Sequence, residues 1–410
     1  MAGLFGSIAE RVSGKSAMVL SEFPDFLMGR ESRSGALVNW RTALETTTVL
    51  GCARVISEGI AQVPLKLYRP RKDGRGSDEA KDHPLYDILS RRPNGWQTSF
   101  EFRETLALHL VLTNNAYCYI NRVGGRIYEL IPFEPNRVTV TRKKDFSLSY
   151  ELLGDDGDTR TLQQADVWHL RGPSWNSWMG MEAVKLAREA IGLSIELEAA
   201  HARLHKNGVQ PSGFYSVETV LTPDQQRSLA KWIKEQAGGD NRGMPLVLDR
   251  GAKWLSQQMS GVDSQHLETR RFQIEEVCRA LRVMPIMVGY SDKTATYASA
   301  EQMFLAHVTH TLGPWGKRFE DSIDVNLLDP KDGGIYARFN WAALLRGSMV
   351  AQAQFFSTLF NVGAYSPNDI RADLDKNPVD GGDEYFRPAA TVPVPFDNTQ
   401  TPAPRAKEGT

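Results

Sequence analysis

Apolar residues alternate between two periods along the chain, and the changes of period divide it. From Thr46, the positions Val49, Cys52, Ile56 and Ile60 recur at spacings of three and four until Pro64, which predicts a helix of about 16 residues with one buried face. VPLKLYRP and a second run after Ser77 flank RKDGRG, whose Asp73-Gly74 pair suits a tight hairpin or loop. HPLYDILS predicts a short helix ended by Pro93-Asn94-Gly95, and Thr98 with Glu101 three residues on forms a capping box that opens the next one. AYCYINR, RIYELIPF, NRVTVTR and LSYELL are β-branched and aromatic runs separated by turn residues, which predicts an antiparallel meander. The acidic cluster GDDGD, Gly154 to Asp158, lacks the fixed spacing and terminal Glu of a calcium loop and is expected to be a hairpin turn.

After ADVWHLRG the pattern turns helical. Met181 to Lys206 reads as one helix of about 26 residues, roughly 39 Å long. It carries two apolar stripes: Val184, Ala187, Ile191 and Ile195 on one side, and Leu186, Ala190, Leu193, Leu197, Ala200 and Leu204 on another. A helix buried on one side needs one stripe, so two imply neighbours on both sides. A compact α/β insert is expected over about 207 to 260, with Thr222-Pro223-Asp224-Gln225 as a strong helix start and MPLVLD and AKWLSQQ as strands. A second long helix, about Ser264 to Val283, aligns Leu267, Ile274, Val277/Cys278 and Leu281 before Met284-Pro285 stops it. The loop PIMVGYSDKTATY leads to a third helical run, Ala298 to about Leu328, which Gly313-Pro314 should kink or break. Two short helices follow, Met349 to Phe360 and Pro367 to Leu374. Residues 1 to 40 are expected to form a partly flexible arm, and the Pro/Thr/Ala-rich run after Phe386 a flexible tail.

Composition and charge narrow the function classes. In 410 residues, 48 Lys plus Arg face 49 Asp plus Glu, a formal net charge of -1, so no basic field exists to clamp nucleic acid by charge alone. Cys52, Cys118 and Cys278 lie far apart in sequence and form no CxxC pair, which argues against a zinc site and a disulfide framework and favours a reducing compartment. No signal-peptide core or membrane-length apolar run is present, so no membrane association is expected. Ala9 to Ser16 (AERVSGKS) satisfies a relaxed phosphate-loop pattern but lacks the strand that such a loop must follow. His201 and His205 are one helical turn apart, as are His307 and His310, but HARLH lacks a metalloprotease Glu and no third-ligand segment accompanies it. Trp168, Trp175 and Trp178 crowd WHLRGPSWNSW; without interleaved cations, an anchor for the helix base suits them better than a base-stacking platform. No catalytic residue, metal site or cofactor is expected, and the chain reads as a non-enzyme.

The order of these pieces resembles the portal (head-to-tail connector) proteins of tailed bacteriophages, of the type common in long-tailed phages and prophages. The resemblance spans about Thr46 to Asp383. It rests on the opening helix with VPLKLY, HPLYDILSRRPNGWQTSFEF, NAYCYINR followed by ELIPFEPNRVTV, VWHLRGPS, the long helix closing with KNGVQPSGF, DSQHLETRRFQIEEVCRALRVMP, the EQMF to TLGPW run and GAYSPNDIRADL. Two positions depart from it: Met284 and Ile286 flank a lone Pro285 where the family often has two prolines, and Asp369 stands where Glu is usual.

The resemblance implies an α+β, multi-domain, ring-forming subunit: arm 1–40, α/β wing 41–180, long stem helices 181–206 and 261–284, a small α/β clip 207–260, tunnel loop 285–297, a long kinked helix 298–334 returning to the wing, a helical crown 335–383 and a disordered tail 384–410. It implies a homo-oligomeric ring, usually of twelve subunits, at one capsid vertex. Double-stranded DNA would pass through the ring during packaging and ejection. The implied partners are the large terminase subunit, the major capsid and scaffold or protease proteins, and a head-completion adaptor protein. Its place is the virion, and the host cytoplasm during assembly. Trp232, Lys234, Arg242 and Trp254 are the clip residues assigned to partner docking, and Ile286, Met287, Val288, Tyr290, Lys293 and Thr294 those assigned to face DNA. A second reading packs Ile286, Met287 and Val288 between adjacent subunits. Twelve inner helices at about 10 Å spacing leave a lumen of roughly 28 Å, wide enough for a duplex. Alternatives are a nucleotide- or metal-dependent enzyme using 9–16 or His201/His205, and an adaptor or scaffold ring without DNA contact.

Overall fold

The structure, a computed structural model, describes residues 30–71, 76–154, 156–207, 213–216, 222–228, 231, 253–256, 262–290, 297–341, 349–374 and 376–386. The chain divides after Asn340 into two compact units.

In the first unit, helix α2 (Thr47–Ala61) presents the predicted stripe: Val49, Cys52, Ile56 and Ile60 are all buried. A short helix α1 (Trp40–Glu45), closed by a capping box on Asn39, leads into it. Ahead of that, β1 (Arg30–Glu31) and β2 (Leu37–Val38) pair antiparallel, so residues 30–38 of the expected arm form a small hairpin. After α3 (Pro84–Ser90), Arg103 of α4 (Ser99–Thr113) is buried where α2 ends and donates to the Ala61 carbonyl at 2.6 Å, neutralising a free carbonyl at the negative end of that helix. Burial holds its guanidinium down at about 10. The box opening α4 is present, with Thr98 donating its backbone N–H to Glu101 at 2.7 Å.

The predicted meander resolves into two separate antiparallel sheets. β5 (Asn115–Val123) lies between β6 (Arg126–Phe133) and β10 (Val167–Arg171), while β7 (Val138–Arg142), β8 (Leu148–Leu153) and β9 (Thr159–Gln163) form their own sheet. The division falls at the 3-10 turn Pro135–Arg137, where proline lacks the N–H needed to continue the ladder. GDDGD turns the β8–β9 hairpin, with Gly154 donating to the Asp158 carbonyl. β3 (Leu65–Pro70) pairs with β4 (Ser77–Glu79) as the hairpin reading expects. Its other edge takes β13 (Tyr336–Phe339), so these four residues, assigned by resemblance to the crown, belong to the first unit's sheet. Non-local strand pairing carries no local signal, which is why the sequence grouped them with the helices that follow.

Trp168 on β10 joins these layers. It is 1% exposed, donates Nε1–H to Ser322 at 2.8 Å, and meets the rings of Phe102 and Phe319 at 6.4 Å. Trp178 packs on the sheet cluster around Tyr117 and Tyr150, whereas Trp175 is 91% exposed. The three tryptophans therefore do not share a face.

In the second unit, α10 (Met349–Asn361) and α11 (Pro367–Asp373) form. Ser366 and Asp369 exchange hydrogen bonds across the start of α11, so Asp completes the capping box that Glu usually completes. Asn368 accepts from the Val379 backbone and donates to Asp383, tying the following loop to the helix.

Candidate functional site: a helix pair and the turn it presents

The region between 181 and 207 is two helices, α5 (Ala183–Leu186) and α6 (Arg188–Asn207), interrupted at Ala187, where the sequence suggested one. No Gly or Pro marks this interruption. Its two stripes have different fates. Val184 and Ile191 are buried inside the subunit, while Leu186 is 68% exposed and Leu193 37% exposed. α6 is held against the β1–β2 hairpin: Arg33 donates its backbone N–H to Glu189 at 2.9 Å, holding that carboxyl below its ordinary range, and Ser32 occupies the space above Gly192. Across from it, α7 (Val262–Leu281) pairs with α6 through Arg270 and Glu198 at 3.9 Å. Among the described side chains Gln273, Val277, Cys278 and Leu281 are its buried positions, and Phe272 is 54% exposed.

The sequence placed the end of this helix at Met284-Pro285; α7 ends earlier, through its backbone. Arg282 adopts φ 58, Val283 donates to the Cys278 carbonyl and Arg282 to that of Arg279. This is a Schellman closure with an arginine where glycine is favoured. Pro285–Val288 then form a 3-10 turn closed by Gly289 at φ 81. Ile286, Met287, Val288 and Tyr290 all lie on or beside this turn and are half-buried. Lys293 and Thr294 lie outside the described residues.

Glycines in α2 seat the turn. The Val288 methyl Cγ1 lies 3.3 Å from where a Cβ on Gly51 would stand, so its branched end packs into its own subunit. Two turns along, a Cβ on Gly59 would come within 2.9 Å of Leu312. Leu312 closes a π turn, Val308–Leu312, between α8 (Tyr297–His307) and α9 (Gly313–Asn326). The helix passes through this wider turn instead of breaking, which accommodates the N–H that Pro314 lacks. Thr311 of the same turn donates to the Arg282 carbonyl at 2.9 Å. Sequence reasoning passed over Gly51 and Gly59; two glycines inside a strong helical period were the available signal.

The remaining candidates are not brought together. Trp232, Lys234 and Arg242 lie outside the described residues, and Trp254 is on β12 (Lys253–Ser256), paired with β11 (Gly213–Ser216) opposite Tyr215. Residues 223–228 are helical behind Thr222, whose backbone N–H donates to Gln225. Ala9 to Ser16 and the His205 side chain lie outside the described residues. His307 is buried and His310 exposed, so this pair does not converge. Among the described residues no group of three His, Cys, Asp or Glu is placed to hold a metal ion, and no helix is long and apolar enough to cross a membrane. His169 is a core residue: Asn115 accepts from its Nε2 at 3.2 Å, Tyr150 meets its Nδ1 at 3.3 Å, and burial holds it neutral, down at about 3.

A model of the family described as phage portal protein matches residues 47–375. The portal protein of Enterobacteria phage HK97 is 28% identical over 362 residues, covering 87% of this chain and 85% of its own. Among solved structures, the neck of an empty GTA particle computed with C6 symmetry aligns at a TM-score of 0.59 and 23% identity, covering 86% of this chain and 97% of that one. The neck of a native GTA particle computed with C12 symmetry aligns at 0.56 and 23% identity, covering 83% and 92%. The family model thus spans most of the chain, which belongs to the phage portal protein family, a structural and non-enzymatic component of the viral capsid.

Proposed function

We propose that copies of this chain stand side by side in a twelve-membered ring and wall a passage for double-stranded DNA at one capsid vertex. The observation that carries this is the uncovered apolar stripe, Leu186 and Leu193 on α5 and α6 with Phe272 on α7: one subunit leaves these side chains in water, and a neighbour repeated by rotation buries them. The C12 symmetry of the similar particle neck supports the copy number.

In that ring α5, α6 and α7 are the stem, the sheets before them the wing, the insert around β11–β12 the clip, and the unit beyond Asn340 the crown. Ile286, Met287 and Tyr290, with Lys293 and Thr294, face the passage, while Val288 is the foot of the turn on Gly51. The clip, through Trp232, Lys234, Arg242 and Trp254, meets the large terminase subunit and later the head-completion adaptor. Capsid and scaffold proteins surround the wing, and assembly takes place in the host cytoplasm. A chain of net charge -1 suits a conduit, because each phosphate neutralised strengthens binding and slows translocation.

Imaging of purified particles tests the assembly: flared rings with a central hole are expected, and a monodisperse monomer at micromolar concentration rejects it. A photo-crosslinker at Met287 in DNA-filled particles tests the passage. Adducts to DNA are expected; adducts to protein alone remove these residues from the lumen and leave an adaptor ring as the better account.

A further inference from the structure

The fold brings together two of the three cysteines that sequence spacing kept apart. Cys52 on α2 and Cys278 in the last turn of α7 are 226 residues apart in sequence, yet their sulfurs stand 3.7 Å from one another and both side chains are 0% exposed. A disulfide needs an S–S separation of about 2.05 Å, so under about 2 Å remains to close, within reach of small side-chain rotations. Cys118, the third thiol, is buried apart from this pair, on the strand β5.

We infer that Cys52 and Cys278 are an oxidation site: a thiol pair that peroxide converts to an intrachain disulfide, fastening α2 to the end of α7 beside the Pro285–Val288 turn. The site has a consequence for the turn because both of its supports meet here. Gly51, neighbour of Cys52, receives Val288, and the Cys278 carbonyl accepts the bond from Val283 that closes α7. A covalent link fixes the seat and the helix end together.

The chemistry is self-contained once the oxidant is a small peroxide, which fits a site closed to larger disulfides. The Cys278 sulfur, as thiolate, attacks one peroxide oxygen; the O–O bond breaks, hydroxide leaves and is protonated to water, and a sulfenic acid remains. The Cys52 sulfur attacks that sulfenic sulfur, the S–O bond breaks, and the departing hydroxide takes the Cys52 proton as a second water. Two thiols are oxidised and one peroxide is reduced to two waters. The order follows the pair's own hydrogen bond: donation from the Cys52 thiol pulls the Cys278 pKa down, and the same contact with burial pushes that of Cys52 up.

The test uses full-length protein treated with hydrogen peroxide at neutral pH, denatured in an alkylating agent and mapped without reduction. The expected product is a Cys52–Cys278 linked peptide, 2 Da lighter than the two thiol peptides together, with Cys118 alkylated. The thermal midpoint is expected to rise and to return on adding dithiothreitol, since the link closes a loop of 226 residues in the unfolded chain. In Cys52→Ser, dimedone is expected to label Cys278. Both thiols still alkylatable at full oxidation, or Cys278 carried to sulfinic acid in the wild type with no bridge, would overturn the inference. No variant is needed for the primary readout, so a failure of Cys52→Ser to fold leaves the test intact.

Discussion

The sheets around Trp168 and the paired helices α6 and α7 find their partners in different places. Around Trp168 the aromatic groups are matched within the subunit: its indole has Ser322, Phe102 and Phe319, and His169 has Tyr150 and Asn115. Along the helix pair the matching is half complete. Val184, Ile191, Val277 and Leu281 are buried, while Leu186 and Phe272 remain in water and Arg270–Glu198 is a surface ion pair of the sort that adds little. The first region closes its contacts inside the subunit, and the second leaves apolar surface that the proposed ring would cover.

The largest effect expected on that contrast comes from its closed side. Trp168→Ala removes the joint between β10, α4 and α9 and should lower subunit stability by about 3–5 kcal/mol in denaturant titration. A loss below about 1 kcal/mol would mean that the layers are not joined there. Acid should come next. His169 is held neutral at about 3 against an ordinary 6.5, so the unfolded chain takes up a proton that the folded chain refuses. Its contribution is whole above pH 6.5 and drains as pH falls toward 3, amounting to about 3 kcal/mol by pH 4.5. Thermal midpoints measured from pH 7 to 4.5 should fall, and His169→Gln should flatten the slope; an unchanged slope would place the titrating group elsewhere.

On the open side the effects on the single subunit are smaller. Arg282→Gly relieves a left-handed arginine at the end of α7 and should raise stability by about 0.5–1 kcal/mol, read as a higher denaturant midpoint. Leu186→Ser should leave subunit stability within about 0.5 kcal/mol while lowering the fraction of rings seen by native mass spectrometry. Rings at wild-type abundance in this variant would erase the distinction between the two regions.

Local chemistry was legible from residues a few positions apart. The capping pair Thr98–Glu101, the α2 stripe and the pairings of β3 with β4 and of β8 with β9 each rest on contacts of short sequence separation. The start of the candidate turn was legible at Met284-Pro285, but its end at Gly289 and its orientation were not: Val288 points to Gly51, more than two hundred positions earlier. The transfer of Tyr336–Phe339 to the sheet of β3, the splitting of one meander into two sheets and the interruption at Ala187 were equally invisible.

By itself the sequence determined which segments are helical or extended, the double apolar face of the region 181–206 and, through the order of its motifs, the kinship with phage portal proteins. Only the tertiary structure decided which stripe is buried, what carries the turn and that Cys52 stands against Cys278. The reason is physical: periodicity records how a side chain relates to its own helix or strand, whereas burial and contact depend on surfaces that the chain supplies from hundreds of residues away.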